Sequence, residues 1–176
     1  ENHQYDGYQK VQYTNNSPDT LQKAYFHLYF NAFQPGSMMD VRSRTIKDPD
    51  RRVTDRIYGL GPDEIGFQEV RELTQNGMPL GWELNGTVLK CTLAEPLLPG
   101  KSTTFEMRWN AQVPKQIRRS GWNNKEGVEF TMTQWYPKLA EYDKDGWHPD
   151  QYVGREFYGV WGAFDVAVHI DTTYVL

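Results

Sequence analysis

Four histidines, one cysteine and 23 acidic residues are the side chains from which this 176-residue chain could build a metal site or an acid–base pair. His3, His27, His148 and His169 stand far apart, and none begins a His-Glu-x-x-His run. That spacing is what places two imidazoles on one helix face with a glutamate beside them as general base. Cys91 is alone, which excludes an intramolecular disulfide and a thiolate zinc site. It falls between Leu89 and Leu93 at strand spacing and reads as a small buried hydrophobe. Gly100-Lys101-Ser102 imitates the end of a phosphate loop, but Glu95 stands where the loop needs its first glycine. No serine lies in a Gly-x-Ser-x-Gly elbow. Asp143-Lys144-Asp145-Gly146 opens like a calcium loop. Trp147-His148-Pro149 breaks that pattern and its twelfth position is not glutamate, so it reads as a polar turn.

Two features are left. Gln134 follows Val128, Phe130 and Met132 at period two, so its amide is expected to point inward with them. A buried amide without partners costs about 1–3 kcal/mol, so it should meet a backbone group, a second domain or a ligand. Residues 135–164 then hold nine aromatic side chains, among them Trp135, Tyr136, Tyr142, Trp147 and Trp161. Each can bury roughly 150–250 Å². The segment is expected to lie against the main body as a satellite core, with a ligand or partner surface as the other reading.

The elements that would position these residues are strands. From Thr103 the odd positions Phe105, Met107, Trp109, Ala111 and Val113 are apolar, and Glu106, Arg108, Asn110 and Gln112 alternate with them. Pro114 ends this run, having no N–H for a ladder. Similar alternation appears at Ala24–Phe30, with Tyr25, His27 and Tyr29 outward, and at Val88–Leu93. It recurs at Val128–Met132 and at Phe164–Ile170, with Asp165, His169 and Asp171 facing away. Residues 64–76 read as a further strand. Asn15-Asn16-Ser17-Pro18-Asp19, Asn85-Gly86 and Pro99-Gly100 carry turn chemistry, and Asn85-Gly86 predicts a hairpin. Ser37 with Asp40 resembles a capping pair that opens one short helix, with Met38, Val41 and Thr45 on a common face. The expectation is an all-β antiparallel sandwich with one short helix and a long aromatic-rich loop.

Composition sets outer bounds. Six Trp, 11 Tyr and 8 Phe exclude a disordered chain, and a chain of this length buries about 70% of its unfolded surface without a disulfide. A net charge of −4 argues against a partner that is a nucleic acid. The local cluster Lys115, Arg118, Arg119 and Lys125 reads as a solvated loop. The longest apolar stretch, Ala24–Phe30, falls far short of the ~20 residues a membrane helix needs. The chain starts without Met and ends on Tyr174-Val175-Leu176, so residues 1–176 are expected to be one domain cut from a longer protein.

Several motifs resemble one family. Tyr13-Thr14-Asn15-Asn16-Ser17 and Leu28-Tyr29-Phe30-Asn31-Ala32-Phe33 come first. Pro96-Leu97-Leu98-Pro99-Gly100 then precedes a Phe-x-x-x-Trp strand. Gln134-Trp135-Tyr136-Pro137, Glu156-Phe157-Tyr158 and Phe164-Asp165-Val166 follow. In this order, over nearly the whole chain, they are similar to the opening of the aminopeptidase N-type (gluzincin) zinc metallopeptidases. The resemblance implies a saddle-like N-terminal β-domain with the zinc catalytic domain beginning just after residue 176. That domain would carry His-Glu-x-x-His, a downstream glutamate and a Gly-x-Met-Glu-Asn strand, none of which occurs here. The zinc would therefore belong to the catalytic domain, which would be the partner of this one, with peptide as substrate. A family glutamine lines the cleft from this side, which makes Gln134, Trp135 and Tyr136 the candidates for the cleft or the domain interface. Gln134 stands three residues before Pro137, closer than the family's usual spacing. The alternative is a stand-alone sandwich that binds carbohydrate or protein through its aromatic loop.

Overall fold

Alternation becomes two packed sheets in the computed structural model, which describes residues 3–46, 52–154 and 158–174. The long strands are β1 (Gln4–Thr14) and β2 (Leu21–His27); after a 3-10 turn at Tyr29–Ala32 comes helix α1 (Met38–Thr45). Next are β3 (Phe67–Gln75), β4 (Met78–Pro79), β5 (Trp82–Asn85), β6 (Val88–Leu97) and β7 (Ser102–Gln112). Two-residue strands complete the set: β8 (Gly121–Trp122), β9 (Phe130–Thr131), β10 (Lys138–Leu139), β11 (Tyr142–Asp143) and β12 (Gly146–Trp147). One antiparallel sheet has the order β1-β7-β3-β4 and the other β10-β2-β6-β5, so the all-β sandwich with one short helix stands.

The core lies where the dry faces meet. Thr103, Phe105, Met107, Trp109, Ala111 and Val113 are all buried, as the period of β7 requires. Phe105 meets Phe26 of β2 edge to face, with ring centroids 5.6 Å apart. Leu89, Cys91 and Leu93 of β6 complete the same cluster. Gly7 sits opposite Trp109 across β1 and β7, and a methyl at that position would overlap the indole ring. The absence of a side chain there lets the indole lie flat on the neighbouring strand. Gln75 acts as a clamp between the sheets: its amide donates to the Glu95 carbonyl (2.9 Å) and accepts from the Glu95 N–H (3.1 Å).

The turns follow their chemistry. Asn85 and Val88 close a two-residue hairpin in which Gly86 takes φ +56°, the first-position glycine of a II′-type loop. Ser37 caps α1 by accepting from the Asp40 N–H at 3.1 Å, and residues 67–75 do form a strand.

Four expectations need correction. Residues 164–170 pair with no strand, and Phe164, Val166, Val168 and Ile170 are exposed. Among the described residues no ladder includes them. In the 128–132 run only Phe130–Thr131 forms a strand, and Val128 and Met132 are exposed instead of inward. His27 and Tyr29 are buried rather than outward: β10 and the residues around His148 cover that end of β2, and the 3-10 turn carries Tyr29 into a second core cluster. On α1 the buried residues are Met39 and Asp40, while Met38 and Val41 face out. An ion pair from the exposed Arg44 to the buried Asp40 carboxylate at 2.9 Å, beside the buried Met39, anchors that helix.

Candidate functional site

The chain leaves β7 at Gln112 and passes through residues 113–137, with only the short β8–β9 pair, before rejoining the sandwich at β10. Gln134 breaks its extended course by adopting φ +58°. Left-handed backbone costs a residue with a Cβ roughly 1–2 kcal/mol, so the surroundings must hold it there. This kink separates the three candidate residues. Gln134 lines a cavity of about 10 Å³ with Tyr29, Phe30 and Phe33 from the 3-10 turn, Ser120 and Tyr152. The cavity is at the lower limit for one water molecule. The Gln134 Oε1 is buried there without a partner among the described residues.

Trp135 turns away from that cavity and packs on the main core. Its carbonyl accepts from the Gln68 amide at 2.7 Å and from the Tyr5 hydroxyl. Tyr136 is half-buried, 5.4 Å from Trp135 and 5.8 Å from Phe164 between ring centroids. Burial raises the pKa of its phenol. Gln134, Trp135 and Tyr136 are thus neighbours in sequence that face different surroundings, with Gln134 alone of the three on the cavity.

Three aromatic residues after Tyr136 also turn inward. Trp147 reaches Tyr13 and Tyr25, Tyr142 packs on Trp147, and Tyr152 meets Tyr29 edge to face. They form the satellite core expected of a loop laid over a sheet. Tyr158, Trp161 and Phe164 are exposed instead, Trp161 at 98%. Glu156 and Phe157 lie outside the described residues.

Asp143-Lys144-Asp145-Gly146 is the turn of the β11–β12 hairpin, with Gly146 at φ +99°. Its first carboxylate accepts from the Tyr158 hydroxyl at 3.0 Å and the Asp145 N–H at 2.8 Å, and His148 Nε2 lies 2.8 Å away as an ion-pair partner. The His148 contact and these hydrogen bonds pull the Asp143 pKa down to about 2, and Asp143 raises that of His148. Cys91 lies in the core with its thiol pushed up to about 11 by burial, the opposite of what a nucleophile needs. Among the described residues no group of three or more His, Cys, Asp or Glu side chains is placed to hold a metal ion.

The sequence reading missed a wider groove of about 570 Å³ between the 34–37 turn, the start of β3 and the β5–β6 hairpin. Phe67, Gln68, Glu69 and Leu84 line it together with Asn31 and Gln34. Nothing in the spacing of these residues signals it, because three distant segments must first be brought together.

No protein-family model and no curated protein matches the chain. Among solved structures it is similar to an M1 zinc metallopeptidase from Deinococcus radiodurans, at 14% identity and a TM-score of 0.38, covering 72% of this chain. A mutant of an M1 zinc metallopeptidase from the same organism, bound to a Tyr-Ser-Ala substrate, gives 16% identity, a TM-score of 0.39 and 73% coverage. The chain spans 22% of the length of each. It is a β-sandwich with a distant structural resemblance to the N-terminal β-domain of M1 zinc metallopeptidases.

Proposed function

We propose that this chain is the non-catalytic N-terminal domain of a zinc-dependent aminopeptidase, where it caps and shapes the peptide-substrate cleft. The parent protein would remove N-terminal residues from peptides with zinc held by its own catalytic domain, expected after residue 176. The observation that carries this reading is the ordered run of family-like motifs, the first four of which serve as joints of the sandwich. Asn15 receives the Gly100 N–H at 2.7 Å and donates to the Leu97 carbonyl at 3.1 Å, so the first and third motifs interlock. Asn31 accepts from the Gln68 N–H (2.7 Å) and donates to the Gly86 carbonyl (3.3 Å), tying the second motif to both sheets. The fourth is held through the Trp135 carbonyl and through Pro137, whose carbonyl accepts from Gln9 at 2.8 Å. Within that frame the buried Gln134 Oε1, without a partner among the described residues, is the group this reading sets toward the catalytic domain.

The test is direct. The continuous reading frame should carry His-Glu-x-x-His within the next few hundred residues, and the longer protein should release N-terminal residues in a chelator-sensitive way. Gln134→Ala in that protein should lower peptide turnover while leaving the melting midpoint in place. A frame without the zinc motif overturns the assignment, and wild-type turnover by the variant removes Gln134 from the cleft. Residues 1–176 alone, after dialysis, should hold no zinc and cleave no aminoacyl chromophore.

A further inference from the structure

The exposed segment 161–171 is a strap held at both ends. At one end Gly159 bridges Ala140 antiparallel, and Phe164 lies against Tyr136, 5.8 Å between ring centroids. At the other, Tyr174 lies against Phe130 at 5.8 Å, and its hydroxyl donates to Glu129 at 3.2 Å. The segment therefore runs antiparallel to residues 129–140. Ten residues separate Phe164 from Tyr174, whereas six separate Tyr136 from Phe130, so the strap carries four residues of slack. Between the anchors Phe164, Val166, Val168 and Ile170 are exposed at alternate positions, and no ladder includes them. Across from them Val128 and Met132 are exposed in the same alternation.

We propose that in solution this strap closes on residues 128–132 of its own chain as an antiparallel ladder. Its register sets Val168 opposite Met132 and Ile170 opposite Phe130, with the left-handed Gln134 standing between this ladder and the Phe164–Tyr136 contact. Closure takes up the slack by sliding the strap four residues along Phe130, so that Ile170 replaces Tyr174 there. A slip of an even number keeps every side chain on its face, so the apolar row of the strap meets the apolar row of its neighbour. The odd offset between the Gly159–Ala140 bridge and the Phe164–Tyr136 contact lies in a stretch that contains Pro137, which has no N–H to give a ladder. Continuity with that existing bridge makes this chain's own strand the occupant of the exposed row. Because Gln134 stands between the closed ladder and the Phe164–Tyr136 contact, closing fixes the backbone on both sides of the candidate cleft residue.

Paired cysteines in the full 176-residue chain test the register. Met132→Cys with Val168→Cys should cross-link within one molecule under mild oxidation, because directly opposite residues bring their Cβ atoms within disulfide range. Met132→Cys with Ala167→Cys, facing the other side, should not. Amides 165–170 should exchange at least about tenfold more slowly than in an unfolded peptide of the same sequence. Val168→Asp should abolish that protection. Unprotected exchange in the wild-type chain, preferential linkage of a Phe130→Cys/Tyr174→Cys pair, or cross-linked dimers in place of monomers would each overturn the proposal.

Discussion

Strand β7 and the segment 164–170 carry the same period-two pattern and meet opposite fates. β7 lies between β1 and β3, with its dry face on β2 and β6, and every apolar residue on that face is buried. The later segment has the same alternation and no strand on either edge, so its valines remain exposed. Alternation specifies which residues share a face, but only a paired neighbour and a facing layer convert that face into core. The difference separates a sandwich built by long ladders from a C-terminal third held by two-residue strands, rings and single hydrogen bonds.

Two tryptophans offer the sharpest way to break the comparison. Trp109, 2% exposed, should lose about 3–5 kcal/mol on replacement by Ala, whereas Trp161, 98% exposed, should lose about half a kcal/mol or less. Similar urea midpoints for the two variants would show that the regions do not differ as described. Gly7→Ala comes next, at about 1–3 kcal/mol, since the new methyl must displace the Trp109 indole. In the double variant with Trp109→Ala the two losses should fall short of their sum, because the clash disappears with the ring.

The amide clamps sharpen the contrast further. Gln75→Ala strands both backbone groups of Glu95 between the sheets and should cost about 2 kcal/mol by chemical denaturation. Gln151 holds the later loop on the β5–β6 hairpin, accepting from the Thr87 N–H at 2.9 Å and donating to the Asn85 carbonyl at 2.6 Å. At its more open site Gln151→Ala should cost about 1 kcal/mol.

The smallest effect is a pH dependence confined to the β11–β12 hairpin. Asp143 is lowered from 3.8 to about 2, so its contribution is complete above 3.8 and disappears as pH falls through 2. His148 is raised above 6.5, so its contribution is complete below 6.5 and is lost as pH rises through the higher folded value. Amide protection of residues 142–148 should therefore be greatest between these limits and fall above neutrality. His148→Gln should remove the alkaline loss, and the amides of β7 should show neither change.

Much of the sandwich was legible because its signals are local. The faces of β7, the burial of Cys91, the Gly86 hairpin and the Ser37 cap each follow from residues within a few positions of one another. The candidate site was less so. Gln134, Trp135 and Tyr136 could be singled out, yet strand alternation could not anticipate that a left-handed residue would send them into different surroundings. His27 shows the same limit: its place in the alternation is polar, but a distant segment covers the face it occupies.

What the amino-acid order determined by itself is the set of dry faces, the turns between them and the lack of a His-Glu-x-x-His zinc motif, since these depend on side-chain chemistry and a two-residue repeat. Only the tertiary structure decided which faces found partners. It paired β1, β3 and β7 while leaving 161–171 without a ladder, kinked the chain at Gln134, and formed the groove beside β3. Each of those outcomes depends on contacts between residues tens of positions apart, and no local periodicity encodes where the other side of a contact will come from.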